Sequence, residues 1–267
     1  MKEYSTIILS KSEGIHTITL NRPDKFNAVN GEMSNELLDA MENICQDDEA
    51  RVLILTGAGS AFCTGADITW FGSVMEAKKR GEKAQFDLVA WAGKFVLMCR
   101  RMSIPMIAAI NGVAAGGGAT IPLSFDIRIA AEDAKISMPF SSSLGIVPEC
   151  GSTYLLPRLI GIAKACELVF TGKAISGKEA KEIGLVNDAV PADKLRETVN
   201  ELAKTIASGA PMSIRLSKRG LYQGLEVSLQ SQLLWEEREL NAIFDSEDHA
   251  EAMKAFLEKR KPVFKGR

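Results

Sequence analysis

One acid in this chain stands in a place where it can do chemistry. Glu149 lies in Ile146-Val-Pro-Glu-Cys-Gly-Ser-Thr153, flanked by Pro148 and Cys150 in an apolar setting. Upstream, an apolar run at residues 106–110 leads to three consecutive glycines, Gly116, Gly117 and Gly118, and then to a short apolar segment of helical character at residues 119–125. Where a strand passes into a helix through glycine, backbone N–H groups point outward unobstructed and can meet negative charge. A donor for an oxyanion and a carboxylate base are the two parts that enolate chemistry needs. By position alone, Glu149 is also readable as a loop acid, or as a helix N-terminal acid beside Ser152-Thr153.

A second loop follows the same plan. The apolar run 52–56 is followed by Phe62-Cys-Thr-Gly-Ala-Asp67-Ile68, small residues ahead of a helix start. If the two runs are neighbouring strands, the N–H groups of Ala66 and Gly117 converge on one carbonyl oxygen. Losing one such donor typically costs on the order of 3 kcal/mol of transition-state stabilisation. Asp67 has the plainer reading of a helix cap. Either glycine loop alone answers the steric needs of a tight turn; the pair, in this order and followed by Pro148-Glu149, is more specific.

The elements that must hold these loops are legible in the hydrophobic pattern. Residues 5–10 and 14–20 read as a hairpin around Lys-Ser-Glu-Gly, with His16 an ordinary strand residue. Met33, Leu37, Leu38, Met41 and Ile44 recur at helical spacing and predict a helix over 30–46. Residues 127–131 and 185–190 read as further strands. The stretch 70–101 is helical but punctuated by Gly72, Gly81 and Gly93; its Trp70, Phe71, Met75, Phe86 and Trp91 are either core or the wall of a pocket for an apolar tail. Residues 154–171 predict two helices broken near Pro157 and Gly161, and Ser176-Gly-Lys-Glu179 is a capping box. Beyond Pro191 only helical pattern remains, over 192–208, 212–223, 224–244 and 248–261. The expected organisation is therefore an α/β body of repeated strand–strand–helix units over 1–191 and a helical region over 192–267.

Composition removes several classes. Of 267 residues, 46% are hydrophobic and 25% charged, an ordinary globular balance. A formal charge of −2 gives no field to recruit nucleic acid or an anionic membrane, so neither partner is expected. The start of the chain carries no apolar run of signal-peptide length, and no stretch approaches the ~18 apolar residues of a membrane span. Five scattered cysteines without metal spacing fit a reducing, cytoplasmic compartment, and no metal is expected. Two distant histidines, His16 and His249, make no triad.

Taken together, the motifs resemble the crotonase superfamily, the enoyl-CoA hydratase/isomerase group. They are Asn21-Arg22-Pro23…Asn27-Ala28, Phe62-Cys-Thr-Gly-Ala-Asp67, Ala108-Ala-Ile-Asn-Gly112, Ala115-Gly-Gly-Gly118, Asp126-Ile-Arg-Ile-Ala130 and Leu144-Gly-Ile-Val-Pro148, with Phe256-Leu-Glu-Lys-Arg-Lys261 near the end. The resemblance implies a crotonase-like spiral of ββα repeats with a helical C-terminal trimerisation region, assembled as a homotrimer or a dimer of trimers. It implies an acyl-CoA thioester as substrate, with no cofactor beyond that CoA. The thioester oxygen would be held by the N–H groups of Ala66 and Gly117. Lys25, Ala28, Gly65, Asp67 and Ile68 match the substrate-binding region, Lys25 as a phosphate contact.

The chain departs from the hydratase pattern at both catalytic acids. The classical hydratases carry one glutamate where Thr120 stands and a second where Phe140 follows Pro139. Thr holds a water but cannot take its proton near neutral pH, and Phe does neither. Glu149 instead matches the single glutamate of the peroxisomal-type 3-enoyl-CoA isomerases, with similar residues from Cys150 to Pro157. The expectation is an isomerase in which Glu149 moves a proton from C2 to C4 of a 3-enoyl-CoA. The alternatives are a hydratase or thioester hydrolase of unusual substrate, and a non-catalytic acyl-CoA-binding homologue.

Overall fold

The computed structural model of the protein describes residues 2–81 and 88–267, side chains 78, 88 and 89 excepted, so Phe86 lies outside the described residues. The strands are β1 (Ile7–Ser12), β2 (Ile15–Leu20), β3 (Val52–Gly57), β4 (Ala61–Cys63), β5 (Met106–Ile110), β6 (Val113–Ala115), β7 (Ile127–Ala131), β8 (Lys135–Ser137), β9 (Ile175–Ser176) and β10 (Asp188–Val190). They form two sheets, ordered β1-β2-β3-β5-β7-β10 and β4-β6-β8-β9. The pairs β3/β4, β5/β6 and β7/β8 each send their first strand to the large sheet and their second to the small one. This produces the repeating strand–strand–helix spiral.

The large sheet is parallel from β2 onward, apart from the antiparallel β1–β2 hairpin at its edge. Parallel strands covered on both faces read as continuous apolar runs. All five residues of β5 are buried accordingly. In register, Leu53 to Thr56 of β3 face Met106 to Ala109 of β5, so both strands end at the same level. The loops that leave those ends carry the candidate oxyanion donors.

The helices are α1 (Gly31–Cys45), α2 (Ile68–Lys79), α3 (Leu88–Arg101), α4 (Gly117–Thr120), α5 (Ser152–Ile160), α6 (Ile162–Thr171), α7 (Gly177–Glu182), α8 (Leu195–Ala207), α9 (Pro211–Gly224), α10 (Leu229–Phe244) and α11 (Glu247–Leu257). Asn30 caps α1 through Met33 N–H, and the Ser176–Glu179 capping box opens α7 as its spacing required. Helix α8 buries Leu195, Val199 and Ala203 against β2, β3, β5 and β7. The first helix after Pro191 therefore covers the sheet, and α9–α11 pack chiefly on one another beyond it.

A partly buried ionic cluster ties α9 to the body. Asp126 accepts from Tyr222 at 2.7 Å and from Met106 N–H at 2.7 Å, and pairs with Lys218 at 2.8 Å; Lys218 also donates to Ile104 O.

Several expectations need correction. Residues 61–63 are strand, not loop, because parallel pairing of Ala61 and Cys63 with Val113 and Ala114 of β6 holds them, not a local pattern. Pro157 does not break a helix: α5 runs through it, and the orphaned Thr153 carbonyl lies in an exposed first turn where water can serve it. The last strand covers only Asp188–Val190, Leu185 and Val186 being buried turn residues ahead of it. Trp91 is core, donating its Nε1–H to Ser34 O at 2.8 Å. His16, by contrast, is the strand residue expected, buried in β2 and hydrogen-bonded to Asp47 at 2.9 Å.

Candidate active site

The two glycine loops meet backbone to backbone. A Cβ on Gly118 would overlap the Cys63 carbonyl, and one on Gly65 would stand 2.9 Å from the Gly117 nitrogen. Gly65 also needs its φ of +85°, so at 65 and 118 glycine is required by contact and, at 65, by conformation too. Asn111 joins the strand ends beneath the loops, accepting from Gly57 N–H at 3.0 Å.

Ala66 sits opposite Val29 in a parallel bridge. Val29 N–H donates to Gly65 O at 2.7 Å, and Asp67 N–H donates to Val29 O at 2.9 Å. The residues flanking Ala66 thus make the bonds, and its own N–H points to the opposite side. Gly117 opens α4, where the first N–H groups have no partner within a helix. Among the described residues, neither the Ala66 N–H nor the Gly117 N–H donates to a protein acceptor. The structure thus brings the two expected donors onto adjoining loops with both N–H groups free.

Glu149 joins them. Its Oε1 lies 2.9 Å from the point a Cβ of Gly117 would occupy, so the carboxylate rests directly against the donor loop. The side chain is half-buried, and burial alone pushes its pKa above the ordinary carboxylate value. Among the described residues, nothing pairs with or hydrogen-bonds to this carboxylate. Behind it the chain takes two consecutive left-handed residues, Cys150 (φ +54°) and Gly151 (φ +66°), and enters α5 with Ser152 N–H on Glu149 O at 3.1 Å. A left-handed non-glycine residue costs roughly 1–2 kcal/mol. Here that strain accompanies the turn that presents an acid inward.

The positions of the two missing acids are filled. Thr120 is fully buried and its hydroxyl donates to Gly117 O at 3.2 Å; Phe140 is buried too. Burial pushes the thiols of Cys63, Cys99 and Cys150 up to about 12. They are protonated at neutral pH and offer no nucleophile.

The remaining expected residues are more dispersed. Ala28 is buried, next to the Val29 bridge, and Lys25 is exposed on the same loop. Ile68 is exposed at the start of α2, as are Phe71 and Met75, with Trp70 half-buried over Gly31. Asp67 does cap α2, accepting from Trp70 N–H at 3.2 Å, and it also pairs with Arg22 at 2.9 Å. Sequence reasoning missed that pair, and it missed Asn27, which is fully buried and donates to both Ala58 O and Ala61 O. The available signals were the turn composition of residues 21–27 and the match of Asn21-Arg22-Pro23…Asn27-Ala28 to the family pattern; nothing linear joins Arg22 to a partner 45 residues away.

No helix among the described residues is long and apolar enough to cross a membrane. Nor do the described residues contain a group of three or more His, Cys, Asp or Glu side chains that could hold a metal ion.

Comparison with known proteins agrees with this fold. The family model described as enoyl-CoA hydratase/isomerase matches residues 10–267. A short-chain-enoyl-CoA hydratase of Clostridium acetobutylicum is 38% identical over 260 residues, covering 97% of each chain. A 1,2-epoxyphenylacetyl-CoA isomerase of Escherichia coli is 36% identical, over 97% of this chain and 98% of that one. The crystal structure of an enoyl-CoA hydratase from Bacillus anthracis superimposes with a TM-score of 0.92 at 37% identity, covering 98% of this chain and all of that one. Fold and paired glycine loops define a crotonase-superfamily enzyme. The chain belongs to the enoyl-CoA hydratase/isomerase family.

Proposed function

We propose that the protein is an enoyl-CoA isomerase that shifts the double bond of a 3-enoyl-CoA to the 2-trans position. The observation that carries this reading is the contact of an unpaired, half-buried Glu149 carboxylate with the Gly117 loop. The N–H groups of Ala66 and Gly117 take the thioester oxygen. Glu149 removes a proton from C2, and the electrons of that C–H bond pass into a dienolate whose charge rests on the held oxygen. The protonated carboxyl then returns the proton to C4, leaving the double bond between C2 and C3. A raised pKa suits both halves of this task, since the group must take a proton and give it back. No cofactor enters beyond the CoA of the substrate.

Hydration is the second reading, and it is favoured by the hydratase names of relatives such as those of C. acetobutylicum and Syntrophomonas wolfei. Against it stand a Thr hydroxyl already bonded to Gly117 O and a buried Phe at the two positions where the family's hydratases carry acids. Thioester hydrolysis would also need Glu149 to activate water. Incubation with 3-hexenoyl-CoA, 2-hexenoyl-CoA and hexanoyl-CoA, followed by mass analysis, separates the readings. Isomerisation conserves mass, hydration adds one water, hydrolysis releases CoA, and a binding protein changes nothing. Water addition to 2-hexenoyl-CoA at a rate matching or exceeding isomerisation would overturn the isomerase reading.

Gly65, Ala66, Ile68 and Gly117 would line the thioester end of the substrate, with Ala28 and Lys25 towards the nucleotide. The assembly is proposed as a homotrimer or a dimer of trimers, in the cytoplasm. Exposed leucines support this assembly: Leu221, Leu225, Leu229, Leu233 and Leu234 lie on α9, α10 and the turn between them, and Leu221 lines a groove of about 670 Å³ between the two helices. Light scattering on the purified protein tests it.

A further inference from the structure

We infer that Arg22 is a positioning residue for the oxyanion site, clamping the segment that presents the Ala66 N–H by bridging the Ala28 carbonyl to the Asp67 carboxylate. The inference rests on the proposal that Ala66 N–H holds the thioester oxygen.

Ala66 has no side-chain tether of its own, and its direction is set by its neighbours. On one side, the Val29 bridge holds Gly65 and Asp67 through two backbone bonds. On the other, the Arg22 guanidinium donates through Nη1 to Ala28 O and through Nη2 to Asp67 Oδ2 at 2.9 Å. The fork therefore spans the two strands of the bridge, gripping the residue before Val29 and the residue after Ala66. A planar guanidinium holds two acceptors in fixed relative geometry, which an ammonium cannot.

Arg22 is itself anchored. Its N–H donates to Asn27 Oδ1 at 2.9 Å, and the Asn27 amide fastens the loop to Ala58 O and Ala61 O at 2.9 and 2.8 Å. Both members of the ion pair are largely sheltered, with side chains 17% and 14% exposed, so water screens it less than a surface pair. Asp67 is pinned from a third direction because Oδ1 accepts Trp70 N–H. Burial alone would push the Asp67 carboxyl up, but the Trp70 N–H and the Arg22 guanidinium outweigh it and hold the group below its ordinary value. It stays charged across the neutral range. One carboxylate thus fixes both the donor segment and the start of α2, whose Ile68, Phe71 and Met75 lie exposed just beyond.

The clamp touches no reacting atom, so its loss should lower turnover while leaving binding nearly intact. The test uses hexanoyl-CoA labelled with carbon-13 at the thioester carbonyl, bound to the full-length protein, and reads the carbonyl stretching band. Turnover of 3-hexenoyl-CoA and the Kd for hexanoyl-CoA are measured beside it. In the wild type the band moves to lower frequency on binding, as polarisation by two donors requires. Arg22→Ala is expected to return the band towards its free position and to lower kcat about 10- to 100-fold, the scale of a donor misplaced but still present. Its Kd should stay within about threefold, since uniform binding is not what the clamp supplies.

Arg22→Lys, which keeps the charge but not the fork, should restore part of both effects. Asp67→Asn, which keeps the helix cap, should move the band part-way and serves if Arg22→Ala does not fold. A band that stays at the wild-type position in Arg22→Ala, or in Asp67→Asn where the alanine variant is unfolded, overturns the positioning role alone. So does a turnover that falls only in step with the folded fraction. A wild-type band that does not move on binding overturns the oxyanion reading, and this inference with it.

Discussion

Replacing Gly117 by alanine should separate activity from stability. The residue begins α4 without a positive φ, so an L side chain meets no backbone penalty there. Alanine also loses less chain entropy on folding, worth roughly 0.4–1 kcal/mol in favour of the variant. The new methyl group, however, would stand 2.9 Å from Glu149 Oε1, while ordinary contact begins near 3.4 Å. The backbone behind Gly117 is packed on Gly65, so the flexible end of the glutamate must move by the difference, some tenths of an ångström. A displacement of 1 Å can cost about a hundredfold, so half of that predicts a loss near tenfold, about 1.4 kcal/mol of barrier. Thermal unfolding and steady-state turnover of 3-hexenoyl-CoA measured on one preparation provide the assay. The expected result is a Tm unchanged or slightly raised and a kcat down about tenfold. Full wild-type kcat would refute the placement of Glu149 against this loop. Gly118→Ala is the contrast: its methyl would overlap the Cys63 carbonyl, so it should fail on stability.

Other outcomes follow from the same contacts. The limb of kcat/KM on the acid side should fall as pH drops through a value above that of an ordinary glutamate, because burial raises the Glu149 pKa and the base must be ionised. The same shift links to stability. A folded pKa above the unfolded one gives a contribution that is complete below the unfolded value and lost as pH rises through the folded value. Glu149→Gln should therefore have the higher Tm at neutral pH, with the advantage shrinking as pH falls through the raised folded pKa and gone below about pH 4, where the wild-type acid is protonated in both states. Asp248→Ala should release the end of the chain, since its buried carboxylate accepts Lys265 N–H at 2.6 Å and Gly266 N–H at 2.8 Å. Faster trimming by carboxypeptidase with little change in global Tm is the expected reading.

The large sheet and the glycine loops of the candidate site were more legible than the small sheet between them. Strand β5 announces itself because a parallel strand covered on both faces is a continuous apolar run, β7 is such a run interrupted by the buried Arg128, and α1 shows its apolar face. The small sheet does not, because β4, β6 and β8 have three residues each and β9 two. Segments so short carry no period; pairing across the spiral makes them strands. Gly65, Gly116–Gly118 and Glu149 were readable because each is chemically conspicuous in its own stretch. Arg22 and Asp67 were not readable as a pair, since an arginine in a turn and an aspartate at a helix start each have sufficient local explanations. Only the bridge from Val29 to Ala66 brings the two together. Pro157 misled for a related reason: the rule that proline ends helices assumes that the freed carbonyl has no other partner, and an exposed first turn supplies water.

The central claim is that one carboxylate carries the proton. Turnover of 3-hexenoyl-CoA by Glu149→Gln, beside wild type and with matched hexanoyl-CoA affinity, tests it most directly. The account predicts a fall of about 10²–10⁴ in kcat, the usual contribution of a positioned acid or base, with Kd little changed. Retained wild-type turnover in that variant would contradict it.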